Sequence, residues 1–448
     1  MTRDFPTVTR RGLTRALALA SVSASVLPWS AHAAPVDSFG QAEWVQKYDA
    51  DPSQAVQRTT TPILSQLTVS ATEQAIQAYQ DIVAKGGWPM VPARQTLKLG
   101  SNGPAVVTLR QRLIASGDLG PGTGTSPVFD SYVEAAVRRF QARHGIGMTG
   151  IVAQQTFDAL NVPAQTRLRQ LEINLVRLRS FATGNLGARY VTLNIPAAEV
   201  ETVEGDTVMT HHIAGVGKID RQSPVMQTRA LDINFNPFWT VPASIIRKDL
   251  IPKMQADPNY LTDNHIRVIN KEGQEVPPSS INWNSMEAIN YKFRQDPGGD
   301  VNSLGFVRVN IANPYGVYMH DTPSKGIFGD DFRFVSSGCV RVQNVRDYVA
   351  WLLKDNPGWD RDKIDDTIRS GERVDVKIAT PVNVYWVYIT AWANDGLVQF
   401  RDDIYKRDGF SDGAVASAAG VAGQGGVQPV STGSHGQVLK PMISPDDE

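Results

Sequence analysis

The chain has 448 residues, which at about 100–200 residues per domain allows two or three domains and a large core. Lys plus Arg total 44 and Asp plus Glu 45, a net charge of -1, which argues against a dedicated nucleic-acid binder with its basic excess. One cysteine, Cys339, excludes an intramolecular disulfide framework and any multi-cysteine zinc or iron–sulfur site.

Residues 1–33 read as an export signal. Arg3, Arg10, Arg11 and Arg15 form a basic start, Ala16 to Leu27 an apolar run, and Ala31-His32-Ala33 a cleavage point with small residues. The apolar run is far shorter than the roughly 20 residues that span a bilayer, and no later segment predicts a span. Thr9-Arg10-Arg11 leaves a twin-arginine signal open beside a general secretory one. Residues 34–95 are an N-terminal scaffold of linkers and one amphipathic helix, with Ala75, Ile76, Tyr79, Ile82 and Val83 at helical spacing.

Residues 96–163 predict a three-helix bundle joined by glycine turns. The helices carry Val106, Leu109 and Leu113, then Val133, Val137 and Phe140, then Phe157 and Leu160. His144 and the Arg138-Arg139 pair are open to two readings: contact with sugar or peptide, or a turn and a solvated helix face. A connecting helix over 164–187 follows. From residue 188 the signals turn to short strands, at Tyr190–Ile195, Val208–Ile213, Ala230–Phe235, Phe306–Ile311, Gly316–His320, Val374–Ile378 and Val382–Ile389. A mainly-β domain over 188–410 is expected, interrupted at about 240–300 by a polar, Pro-containing insertion with helical pieces. Such an excursion suits a lid. The fold class is thus α+β and multidomain. Residues 411–448 lack aromatic residues and predict a disordered tail.

Cys339 lies in Ser336-Ser337-Gly338-Cys339-Val340-Arg341. Gly338 permits close backbone approach, and Arg341 favours the thiolate. Asn344 with Asp347 predicts an N-cap for a Val345–Leu353 helix, whose N-terminus would lower the thiol pKa further. A thiol nucleophile needs a base. His211 and His212 are consecutive in a strand and face opposite ways, whereas His320 ends a strand at the Asp321-Thr322-Pro323 turn and presents itself to a loop. Tyr318, two residues earlier, shares its face and is expected to line the cleft. Asp321 is equally a turn residue or an orienter of His320.

Two stretches resemble known families. AAVRRFQARHGI with the TFDAL helix resembles the peptidoglycan-binding domain of cell-wall enzymes. VYMHDTPSKGIFGDDFRFVSSGCVRVQN, from Val317 to Asn344, resembles the catalytic motif of the L,D-transpeptidases, with Ser337 where a second His is usual. That departure matches the large Gram-negative members with a lid, as do NPFWTVPASI, RQDPGGDVNSLG and the VYWVYITAWANDGLVQFRDDIYKRDG run. The resemblance implies a periplasmic cysteine acyltransferase with a β-sandwich-like catalytic domain. Cys339 would be the nucleophile, His320 the base, and the Gly338 and Cys339 amides the oxyanion donors. Arg341, Tyr318 and Ser337 would meet substrate. It implies 3→3 crosslinks between peptidoglycan stem peptides, no cofactor or metal, glycan strands as partners, and carbapenem-type β-lactams as covalent inhibitors. An L,D-carboxypeptidase or crosslink hydrolase, a lipoprotein-attaching transpeptidase and a non-catalytic wall-binding protein stay as alternatives.

Overall fold

The computed structural model describes residues 59–93, 95–182 and 184–409. The export signal, the start of the scaffold and the C-terminal tail lie outside the described residues. Helix α1 (Gln66–Ala84) starts earlier than its apolar spacing predicts because Ser65 caps it: the Ser65 Oγ accepts from the Thr68 N–H at 3.1 Å. The bundle consists of α2 (Pro104–Ala115), α3 (Ser131–Arg143) and α4 (Gln154–Leu160). Asp130 caps α3 through the Val133 N–H at 3.1 Å. Leu109, Leu113, Phe129, Val137, Phe140 and Leu160 are wholly buried in its core. Each such side chain contributes about 1.5–3 kcal/mol relative to exposure. Helix α5 (Ala164–Ala182) then sets Leu168, Leu171 and Leu175 against Ile76 and Tyr79 of α1.

The β domain runs through β1 (Arg189–Asn194), β2 (Glu199–Glu204), β3 (Thr207–Gly217) and β4 (Met226–Phe235). The insertion holds β5 (Trp239–Thr240), β6 (Ile266–Ile269), β7 (Glu275–Val276) and β8 (Lys292–Gln295). The domain resumes with β9 (Val307–Ile311), β10 (Met319–His320), β11 (Phe334–Ser336) and β12 (Val340–Val342). Helices α6 (Val345–Leu352) and α7 (Arg361–Ser370) precede β13 (Val374–Val387) and the hairpin of β14 (Ala391–Asn394) and β15 (Leu397–Phe400). The main sheet has the order β11-β3-β12-β10-β9-β4-β13-β1-β2, and β2 also pairs with β3. That last pairing closes the sheet on itself. Strand β3 makes the closure possible through its length: Thr207–Ile213 pairs with β2, while Ala214 and Gly215 pair with β12.

Alternation decides which residues fill the interior. Val307, Val309 and Ile311 of β9 point to the core, leaving Arg308 and Asn310 on the other face. Val340 and Val342 of β12 do the same around Arg341, and α6 adds Val345, Tyr348, Val349 and Leu352. The insertion has a core of its own, with Ile246, Leu250, Ile251, Met254, Leu261 and Phe293 buried, and its helical pieces are joined by a sheet in the order β5-β8-β6-β7. Its helical run over 243–256 contains an i→i+5 stretch at Ile246–Leu250. Pro252 follows and brings no N–H to the ladder, so the turn before it is loosened.

Candidate active site

Cys339 sits between β11 and β12, on a loop that is held from beneath. The Gly338 N–H donates to the Ser336 Oγ at 3.1 Å, and the Ser223 Oγ donates to the Gly338 carbonyl at 2.8 Å. Ser223 is fixed in turn: its Oγ accepts from the Gly217 N–H at 3.0 Å. The hydroxyl of Tyr405 donates to the Gly217 carbonyl and accepts from the Ser223 N–H. Gly338 has φ +112°, a conformation that a side chain resists, and a Cβ there would lie 3.4 Å from the Gln222 carbonyl. The Gly338 amide is therefore spent within the loop and is not free for an oxyanion, contrary to the expectation from the resemblance. The Cys339 N–H is not used by the loop's own hydrogen bonds.

His320 lies on β10, paired in register with Arg341 of β12 on one side and Arg308 of β9 on the other. Paired residues share a face, so the imidazole stands between two arginines. Tyr318 is on that same face, its ring 5.5 Å from the His320 ring, with the Arg308 guanidinium 4.3 Å from the Tyr318 ring centre. Tyr318 also bears on the Cys339 thiol through its hydroxyl and main chain. Cys339, His320, Tyr318, Arg341 and Ser337 line one cavity of about 400 Å³. The insertion roofs it with Trp239, Ile245, Asp249, Leu250 and Tyr260.

The electrostatics differ from the sequence expectation. Burial pushes the Cys339 thiol pKa up, and Tyr318, Arg308 and Arg341 only partly oppose this. The N-terminus of α6 stands beyond the far end of β12. Asn344 occupies the N-cap position in a left-handed conformation, φ +50°, without a side-chain cap, and Asp347 pairs with Arg361. Burial drives His320 down to about 3, helped by Arg341, Arg308 and Lys325. Both shifts favour the uncharged forms of the thiol and the imidazole. The Asp321 carboxylate does not orient the imidazole, although the Asp321 main chain bears on it. Its carboxylate accepts from the Phe306 N–H at 3.0 Å and pairs with Lys325, while the buried His320 Nδ1 makes no hydrogen bond among the described residues.

Ser337 takes part in a contact that the sequence did not signal. The Arg221 guanidinium donates to the Ser337 Oγ at 2.9 Å and holds Asp249 of the insertion with both terminal nitrogens, one at 2.9 Å. Arg308 was missed as well, because only the strand register places it beside His320. Outside the cavity, His144 is buried, stacked 3.8 Å from the Phe140 ring and 5.5 Å from Phe400. Arg139 donates to the Asp118 carbonyl, and Arg138 pairs with Glu134 at 2.8 Å. These three residues serve packing and helix contacts.

Comparison with known proteins assigns the two halves of this arrangement. Residues 188–384 match the family model of the L,D-transpeptidase catalytic domain, and residues 102–160 the model "Putative peptidoglycan binding domain". A curated Haemophilus influenzae protein, "Putative L,D-transpeptidase", is 33% identical over 242 residues, 54% of this chain and 48% of that protein. The chain therefore matches about half the length of that relative. Among solved structures, an L,D-transpeptidase from Stackebrandtia nassauensis aligns at 12% identity and a TM-score of 0.26, covering 67% of this chain and 96% of that one. One from Mycobacterium smegmatis aligns at 15% and 0.23, covering 45% and 58%. Residues 188–384 are thus similar to an L,D-transpeptidase catalytic domain. The residues similar to a peptidoglycan-binding domain precede it in the chain.

Proposed function

We propose that the chain is an exported, periplasmic L,D-transpeptidase that forms 3→3 crosslinks between peptidoglycan stem peptides, with Cys339 as nucleophile and His320 as base. The observation that carries this reading is the convergence of Cys339, Tyr318 and His320 on one cavity roofed by the insertion. The donor is a tetrapeptide stem. As Sγ attacks the carbonyl between the L-centre of diaminopimelate and the terminal D-Ala, the thiol proton passes to His320. The Cys339 N–H is the main-chain donor left for the oxyanion. Collapse breaks the C–N bond, and D-Ala leaves as an amine with the proton from His320. A thioester remains. The side-chain amine of an acceptor diaminopimelate attacks it, His320 takes that proton, and the thiolate regains it on departure.

Shifts toward the uncharged forms support this order, because charge then develops only once the donor carbonyl is present and water is excluded. Arg341, Ser337 and Tyr318 line the cavity where the stem would lie. Two measurements test the reading. Wild type mixed with a carbapenem should gain one covalent adduct by intact mass, and Cys339→Ser should gain none while keeping its fold. Incubation with disaccharide-tetrapeptide should yield crosslinked dimer. Crosslinking by the Ser variant would overturn the role of Cys339, and tripeptide alone would make the enzyme a carboxypeptidase.

A further inference from the structure

We infer that Arg221 is a positioning residue that ties the insertion to the nucleophile loop, so that the roof over the cavity and the seat of Cys339 are set together. As a statement about catalysis this rests on the reading of Cys339 above; as a statement about structure it does not. Arg221 lies in the loop between β3 and β4, outside both parts it connects. Both terminal nitrogens of its guanidinium reach Asp249, and one of them also donates to the Ser337 Oγ, two residues before Cys339. The same loop supplies Ser223 under the Gly338 carbonyl, and the Lys218 N–H donates to the Ser336 carbonyl at 2.9 Å. The nucleophile loop therefore rests on the 217–223 segment, and Arg221 is the point where that segment meets the roof.

Three further features support a built contact. Arg221 and Asp249 are half-buried, with 14% and 25% of their side chains exposed, so solvent screens the pair somewhat less than on an open surface. Asp249 sits in the i→i+5 stretch, a local departure from regular helix that fixes where its carboxylate points. The pair holds the Asp249 carboxyl below its ordinary range, chiefly through the bond to Arg221. Asp220, 3.5 Å from the Arg221 Nε, adds a second carboxylate on the loop side, and Lys218 and Lys253 also face Asp249. A planar guanidinium can hold a carboxylate with two nitrogens and still donate to a hydroxyl, which an ammonium does poorly.

The only cysteine of the chain makes a direct test available, since alkylation by iodoacetamide reports on the Cys339 loop without presupposing any reaction. Arg221→Gln should speed alkylation by about tenfold, the effect of losing one charge-assisted bond of ordinary strength. Asp249→Asn and Ser337→Ala should each reproduce part of that change, and neither should add to it in the Arg221→Gln background. The pair Arg221→Glu with Asp249→Arg should return the rate toward wild type. Independent, additive effects overturn the tie, as does an unchanged rate in an Arg221→Gln protein that melts like wild type. The same variants scored by carbapenem adduct formation extend the test to catalysis. Absence of an adduct on wild type, with the alkylation pattern intact, overturns the reading of function and leaves the tie standing.

Discussion

His320 shows how far a neighbourhood can move one side chain. An exposed imidazole takes a proton near pH 6.5, whereas this one, buried between Arg308 and Arg341, waits until about 3. The unfolded chain therefore binds a proton that the folded chain refuses, and stability rises with pH across that window. The contribution is whole above pH 6.5 and is lost as pH falls toward 3. His144, buried against Phe140, shifts in the same direction. Urea midpoints measured from pH 7 to 4 should fall more shallowly for His320→Asn than for wild type. Glu201 runs the other way. Burial raises its carboxyl to about 8, although the Ile63 N–H donates to it, so its contribution is whole below about 4.5 and is lost as pH rises through 8. Glu201→Gln should flatten the alkaline side of the same curve. Tyr318 and His320 could be read as face-sharing from alternation alone. Arg308 could not, because a register between separate strands is set by packing and leaves no local mark.

Among the elements, the Cys339 loop and the insertion invite the sharpest tests. Gly338→Ala forces a side chain into positive φ beside the Gln222 carbonyl. It should cost about 1–3 kcal/mol in thermal or urea unfolding and slow adduct formation on Cys339. On the proposed function, a trimmed insertion of verified fold should raise the ratio of tripeptide to crosslinked dimer, because water would then reach the thioester. An unchanged ratio would leave the roof a structural part only. Strand legibility followed composition. β2 passed unread because three of the six residues in EVETVE are glutamates, which are depleted in strands, and the Thr202-Val203 step breaks its alternation; β1 and β3 flank it in the fold. β13 read as two strands because of Pro381; the structure runs it through, absorbing the proline in a register shift between Lys377 and Val382. The insertion's apolar residues were visible in the sequence, but its sheet was not, since β5 and β7 have only two residues each.

At the scale of the molecule, the bundle is seated on the β domain by buried polar contacts. Arg143 pairs with Asp118 at 2.6 Å, both nearly inaccessible, and donates to the Val398 carbonyl of β15 at 3.2 Å. Arg401 returns a bond to the Arg143 carbonyl at 3.1 Å. Arg143→Ala leaves Asp118 buried and unpaired and should cost about 3–5 kcal/mol in chemical denaturation. It should also weaken sedimentation with purified sacculi if the bundle carries the wall contact. The bundle and its helices were plain in the sequence from glycine turns and apolar spacing, whereas its seat was not, because Arg143 and Arg401 are 258 positions apart. The closed sheet has a consequence in time. β1 is hydrogen-bonded to β2 within a few residues but also to β13, where Tyr190 meets Asn383. A ribosome that has emitted Cys339 and His320 has produced both cavity side chains and no closed ring to hold them. Assembly waits for the strand that ends at Val387, and loop closure over so long a span is slow. The chain remains without a finished cavity until nearly all of its catalytic domain has been made.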